Sequence, residues 1–446
     1  MKYPPSVLLL LGCCFATAVS AAPLADVFEP ALKQWLGAQP GGVAAAHIDA
    51  DGVTFFNAGR FDGTDSPPIT PDTQFEIGSV SKVFTAALLA DAVKSGKVSL
   101  DATVGAPFAP SQVTYLQLAT HTSGLPRMPA DFSGSDPLNP YEHETLARLV
   151  KSFDAVAPAL KPAPSSYSNF GFAVLGQAVA GAWGKSYGDA LRERVLRPFG
   201  LGDTLLAWRE ADKTRLAPGH NETGALVNWD LNAFAPAGAL VSTSRDLAKF
   251  VQACLGLAST PLADVLADTL RPRAPGDVPA KQIGLAWQIE QRGASTVIWH
   301  NGATGGYHTF VAFDPAAKTG VVLLTNQARG LEALGFALQA GRMPAAPKPG
   351  AKAESPRQVE LSAAELDAYV GHYTLGPVQF TVTRDAAMLM VQLTGQPKAP
   401  VFASAKDEFF YKVVNAQLSF VRGTDGKVEA LILHQNGRDS RAQKVD

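Results

Sequence analysis

The segment FEIGSVSKVFTAALLA, residues 75–90, reads as a short strand, a glycine and then a helix. Between Ser79 and Ala90 the single charged side chain is Lys82. At 100° per residue Ser79, Lys82, Val83, Ala86, Ala90 and Val93 share one side of the helix, and Phe84, Leu88 and Ala92 occupy the other. A helix apolar or small all round is a buried helix, so the ordinary reading of a helical lysine, a solvated face, does not fit. A buried ammonium must find partners or give up its proton, and the positive potential of a helix N-terminus acts in the same direction. An amine pushed towards neutrality one turn from a serine hydroxyl is a base placed to activate a nucleophile. Gly78 permits the sharp turn that exposes the serine at the helix start. The S-x-x-K pattern by itself arises by chance about once in a chain of this size, so the burial of its surroundings carries the reading.

Two segments further along supply partners for such a pair. In APSSYSNFGFAVLG a polar loop runs into an apolar helix, bringing Tyr167 and Asn169. A phenol and an amide there can act as proton relay and substrate hydrogen-bond donor; equally, Ser168 and Asn169 read as a helix cap beside a core tyrosine. In VIWHNGATGGYHTF, residues 297–310, a strand ends in His300, and Gly302, Gly305 and Gly306 then allow the backbone to approach a ligand edge-on. A strand edge beside a helix N-terminus offers two N–H groups to an oxyanion; a plain glycine hairpin is the competing reading.

Working outward, LADVFEPALKQWLG has helical spacing, and VAAAHIDADGVTFFNAG reads as two strands joined at Asp51-Gly52. The middle of the chain, about 79–275, is rich in helix, and strands return in IGLAWQIE, STVIWHNG, HTFVAFDP and GVVLLTN before the helix LEALGFALQAG. Strands from both ends flanking a helical middle predict an α+β domain over 22–340, with an antiparallel sheet built from N- and C-terminal segments, flanking helices and a helical subdomain. Residues 341–358 are rich in Pro, Ala and Lys and read as a linker. Residues 359–446 open with the short helix pattern SAAELDAYV. They continue as short alternating runs with turns at Thr424-Asp425-Gly426 and Asn436-Gly437, a small β-barrel-like domain.

Of 446 residues 46% are hydrophobic and 17% charged, enough apolar material for a large core, and 38 basic against 40 acidic residues leave no basic stripe for nucleic acid. Residues 1–21 read as a secretory signal with cleavage after Ala21, so the protein is expected to be exported, periplasmic or secreted, with no stable membrane span once the signal is removed. LLGC before Cys13 gives lipidation as the minor alternative. Cys13 and Cys14 leave with the signal, and the remaining Cys254 reads as a buried small hydrophobe in LAKFVQACLGLA. GKSYG at 184–188 matches a nucleophile elbow but follows a helical run where the elbow needs a strand. The eight histidines show no metal-ligand spacing, and there is no phosphate-binding glycine motif.

Taken together, Ser79-Val80-Ser81-Lys82, Tyr167-Ser168-Asn169 and His300-Asn301-Gly302, in this order, resemble the serine β-lactamases and penicillin-recognising DD-peptidases, especially the class C β-lactamases and their esterase and D-aminopeptidase relatives. ATHTSGLP (119–126) and GALVSTSRDLAKF (238–250) also look like segments of that family. The resemblance covers about residues 25–340, and the tail is similar to the β domain appended to many such hydrolases. It implies an acyl-enzyme mechanism without a cofactor. Ser79 would be the nucleophile, Lys82 would help take its proton, and Tyr167 would pass a proton to the leaving group or from water. Asn169 would contact the substrate amide, His300, Asn301, Gly302 and Ala303 would line the substrate, and the N–H groups of Ser79 and Ala303 would form the oxyanion hole. The family pattern has Lys-Thr-Gly where this chain has His300-Asn301-Gly302, and a neutral imidazole attracts a carboxylate less than an ammonium does. The expected substrate is a small molecule or peptide with a scissile carbonyl: an amide, a β-lactam, a D-amino-acid peptide or an ester. The alternative is a penicillin-binding sensor or binding protein that acylates without efficient turnover.

Overall fold

A computed structural model describes residues 23–344 and 358–446, apart from 133–135, 137, 222–223, 277, 279, 377, 387, 395–397, 412–415, 424 and 436–437. Residues 1–21, read as a signal, most of 341–358, read as a linker, Thr424 and the turn expected at Asn436-Gly437 lie outside the described residues. The first unit is an eight-stranded antiparallel sheet in the spatial order 52–59, 42–49, 319–325, 307–314, 295–304, 288–292, 281–283, 274–275. Its two N-terminal strands pair with the last strand of the domain, Val43 opposite Thr325, which is the assembly from both chain ends expected from the pattern.

Strand alternation sorts the sheet into two faces. Val43, Ala45, Phe310, Ala312, Val321 and Leu323 pack with Phe28, Leu32 and Trp35 of the helix Leu24–Leu36 and with Leu334 and Leu338 of the helix Glu332–Gln339. Their neighbours Ala44, Ala46, Val311, Phe313, Val322 and Leu324 face the other way, into the main core with the helical middle. At the centre of that core lies the helix Ser81–Lys94, buried from Ser81 through Ala92 and packed against the helices Asn169–Ala182 and Ala263–Thr269. Asp91 is buried on it and is held by Arg194, whose Nε and Nη2 donate at 2.8 and 3.2 Å.

The run IGLAWQIE departs from one continuous strand. It is broken between Lys281–Ile283 and Gln288–Arg292, where Ala286 has φ 67° and donates its N–H to Ala119 O at 2.9 Å. The break turns Trp287 wholly into the core, a contact with residues far away in sequence. GKSYG is a helix cap: the Ser186 side chain accepts the Asp189 N–H at the start of the helix Tyr187–Leu191. Cys254 is partly buried against the main core and burial pushes its thiol well above the ordinary range, as suits a packing residue.

Residues 371–444 form a closed eight-stranded barrel of sequential antiparallel strands. It closes where the strand Gly371–Leu375 meets the strand Arg438–Lys444, Tyr373 opposite Lys444. Tyr369, Tyr373, Phe409 and Phe420 fill its interior. The helix before it, Ala363–Asp367, is capped reciprocally by Ser362 and Glu365.

Candidate active site

The chain reaches Ser79 through the two-residue strand Phe75–Glu76 and a single tight 3-10 turn, Gly78–Val80, before the α-helix begins at Ser81. Gly78 has φ +48°, and a Cβ there would stand 2.6 Å from Ala303 N and 2.7 Å from Ala303 O. Conversely a Cβ on Gly302 would stand 2.0 Å from Ile77 O and 2.9 Å from Ser79 N. Both glycines are therefore required for one close approach, that of the strand Ser295–Thr304 to the backbone carrying Ser79. The neighbouring strand covers this one only as far as Trp299, opposite Gln288, so His300–Thr304 present a strand edge to the cleft. On that edge Ala303 stands against the turn that carries Ser79.

Lys82 is fully buried. Its Nζ lies 3.0 Å from Ser79 Oγ, 2.8 Å from Asn169 Oδ1 and 2.7 Å from Ala237 O. The last two partners only accept. A neutral amine has two hydrogens and one lone pair, so those hydrogens go to Asn169 and Ala237, leaving the lone pair for the one partner that can donate, the Ser79 hydroxyl. Burial, and after it the Arg127 charge, holds the Lys82 pKa well below the ordinary lysine range. Among the described residues no carboxylate pairs with it.

Asn169 occupies the first turn of the helix Asn169–Ala182, whose cap is Ser168; the Ser168 side chain accepts from Gly171 N at 2.8 Å. Both ends of the Asn169 amide are engaged, since Nδ2 donates to Tyr141 Oη at 3.1 Å. Tyr167, two residues before, is half-buried, with its ring centroid 4.8 Å from Lys82 Nζ. Burial pushes its phenol up to about 12, opposed by a hydrogen bond with Ser79 and by the Arg127 charge. The Arg127 guanidinium stands 5.2 Å from the same ring and is exposed.

His300 is buried, its Nδ1–H donating to Asn301 O at 2.6 Å, and burial with the nearby Lys82 lowers its pKa to about 3. It is neutral at any physiological pH. The side chain of Asn301 turns to the opposite sheet face, donating to Glu332 Oε1 at 2.5 Å. A cleft lined by His121, Tyr167, Trp299, His300 and Asn301 opens beside these groups. The structure thus brings Ser79, Lys82, Tyr167, Asn169, His300, Gly302 and Ala303 together. It adds three contributors that sequence reasoning did not single out: the Ala237 carbonyl, Tyr141 and His121. Two of these sit in or beside the segments 119–126 and 238–250, but a backbone carbonyl leaves no mark in side-chain pattern.

The family model described as Beta-lactamase matches residues 27–340, and a Domain of unknown function (DUF3471) matches residues 355–444. The chain is 27% identical to an Unguisins hydrolase, ungD', of Aspergillus campestris over 60% of its own length and 55% of that protein's. It is 25% identical to the D-alanyl-D-alanine-carboxypeptidase/endopeptidase AmpH of Escherichia coli over 72% of this chain and 91% of the other. The crystal structure of a class C beta lactamase from Rhodobacter sphaeroides superposes with a TM-score of 0.59 at 24% identity, over 67% of this chain and 93% of that one, and so shares the fold. With the family model spanning most of the chain, the protein belongs to the Beta-lactamase family and is a β-lactamase-related serine hydrolase.

Proposed function

We propose that the protein is an exported hydrolase that works through an acyl-enzyme on Ser79. The observation that carries this is the set of three Lys82 partners, two pure acceptors and the Ser79 hydroxyl, around a buried amine with no carboxylate partner among the described residues. Ser79 Oγ attacks the carbonyl carbon of the substrate as its proton passes to Lys82 Nζ. The carbonyl oxygen, now negative, faces the N–H groups of Ser79 and Ala303. The tetrahedral adduct collapses by breaking the bond to the leaving amine or alcohol, which takes a proton through the neutral Tyr167 phenol. Water then attacks the ester, its proton returns by the same groups, and Ser79 is freed.

The substrate carries a scissile carbonyl, and of the amide, β-lactam, D-amino-acid peptide and ester classes the ester is preferred. A neutral His300 on the strand edge supports this, because it supplies no charge for a carboxylate. The carboxypeptidase and hydrolase relatives support the acyl-transfer class. The test is turnover of nitrocefin, p-nitrophenyl esters and D-alanyl peptides by the mature protein and by Ser79→Ala. Ester cleavage with weak nitrocefin hydrolysis, abolished in Ser79→Ala together with labelling by a serine-reactive phosphonate, is expected. Labelling or turnover retained without Ser79 overturns the proposal. A stable acyl adduct with a burst and no steady state would make the protein an acylated sensor instead.

A further inference from the structure

We infer that His121 is a positioning residue for Tyr167, fastening the backbone on both sides of the phenol while its ring backs the phenol ring. The Ser166 N–H donates to the His121 carbonyl at 2.9 Å, and the Ser168 N–H donates to the His121 ring at Nδ1, 3.1 Å away. Between these two bonds the imidazole packs on Tyr167 with centroids 4.6 Å apart and planes 33° apart, and it also meets Phe172 with centroids 4.9 Å apart. One residue thus holds positions 166, 167 and 168 by three different contacts.

The segment around it extends the same splint. Thr122 O accepts from Ala163 N at 3.0 Å, Pro126 O accepts from Ser168 Oγ at 2.6 Å, and Arg127 O accepts from Asn169 N at 3.1 Å. The loop 120–127 therefore runs alongside 163–169, and His121 is the point at which a side chain enters the clasp. Two features make histidine more than filler there. Its φ is +61°, a left-handed conformation that side chains other than Asn, Asp and Gly adopt at a cost and that persists only where surrounding contacts hold it. Its Nδ1 must also be an acceptor, which fixes the neutral tautomer with hydrogen on Nε2. Burial, with Lys82, His300 and Arg127 nearby, holds the ring in that neutral state by lowering its pKa well below the ordinary value.

A phenol that relays a proton between a serine and a leaving group is sensitive to displacement, since a shift of ~1 Å can lower a rate by about 10²-fold. The kinetic consequence of this inference rests on the acyl-enzyme reading; the geometric one does not. The experiment is a double-mutant cycle with p-nitrophenyl ester turnover. His121→Gly keeps the left-handed backbone and removes ring and acceptor. It is expected to lower kcat by at least about 10-fold with KM within about twofold, and to change kcat by less than about twofold on a Tyr167→Phe background. His121→Asn tolerates the same backbone and places an amide oxygen where Nδ1 was, and is expected to recover most of the loss. Equal losses on both backgrounds, or an asparagine variant as impaired as the glycine one, overturn the inference. A readout independent of turnover is the Tyr167 phenol titration, followed by NMR of ring-labelled tyrosine and assigned with Tyr167→Phe. In His121→Gly it should fall from about 12 towards the ordinary tyrosine value. An unchanged titration means that His121 does not hold the phenol, even if the protein proves to have another chemistry. His121→Asn, which keeps the turn, also guards against misfolding: its kcat must stay near that of the parent, and a loss as large as that of Tyr167→Phe overturns the inference.

Discussion

At the residue scale the site turns on how many hydrogens Lys82 carries. Its three neighbours suit an amine with two hydrogens and a lone pair, and each would also accept from an ammonium, so the proton count is set by solvation and charge. Both lower the pKa, burial most and Arg127 next. Two outcomes follow at this one atom. Lys82→Arg keeps the charge but has no lone pair at any working pH, and should lower the acylation rate by about 10²–10⁴-fold in stopped-flow assays with an ester. Near-normal acylation would mean that Lys82 serves only as a positive charge. In the parent the acid limb of kcat/KM should lie well below the pH at which free lysine titrates. Arg127→Gln, by removing a positive neighbour from an exposed position, should move that limb to higher pH without moving the plateau. A limb that stays where it was would separate Arg127 from the base. Lys82 itself was legible in the sequence because an apolar helix leaves a lone ammonium nowhere to go, whereas Ala237 was not, because its contribution is a backbone carbonyl 155 residues away.

At the element scale two backbones touch, and glycine is what lets them. Gly302 faces Ile77 O at 2.0 Å from where a Cβ would sit, so Gly302→Ala must move either the strand edge or the turn that carries Ser79. Either shift misaligns the Ser79 and Ala303 amides, and turnover should fall by about 10²–10³-fold, the effect of losing one oxyanion donor, with circular dichroism unchanged. Ala303→Ser, whose side chain is exposed, should leave the rate within about twofold by the same geometry. If Gly302→Ala turned over normally, the two amides would not be the oxyanion site. From the sequence the glycines at 302, 305 and 306 pointed to a backbone approaching a ligand, whereas each is packed against the chain's own backbone or side chains, Gly302 against Ile77, which lies over two hundred residues earlier. The same limit explains the other differences. The first turn at Ser79 is 3-10 because Gly78 is left-handed against Ala303, and IGLAWQIE breaks because Ala286 bonds to Ala119. Local pattern specifies which elements form; tertiary contact decides how their ends are bent.

At the scale of the whole molecule, alternation and apolar spacing were enough to foresee a sheet built from both chain ends and a separate β-rich tail, because each strand buries its own alternate residues. What pattern could not give is the electrostatic cost of the join between the helical middle and the sheet, where Glu76 is buried. Its Oε1 accepts from Asn228 Nδ2 at 2.7 Å and from Trp229 N at 3.3 Å, yet burial, with Asp230 adding to it, raises the carboxyl from 4.5 to about 7. The folded protein therefore keeps a proton that the unfolded chain loses. This group's contribution to stability is fully present below pH 4.5 and is lost as the pH rises to about 7, by about 3 kcal/mol in all. His300 acts in the opposite sense, being neutral in the fold down to about 3, so its contribution is lost as the pH falls below 6.5. The net pH profile mixes the two, but a difference between variants does not. Glu76→Gln keeps an acceptor for Asn228 and Trp229 and removes the titration, so urea unfolding should find it close to the parent at pH 4.5 and more stable than the parent by up to about 3 kcal/mol at pH 8. Parallel profiles for the two proteins across that range would mean that Glu76 titrates in the fold as it does in the unfolded chain, and that the cluster around Asn228 solvates the charge far better than its burial suggests.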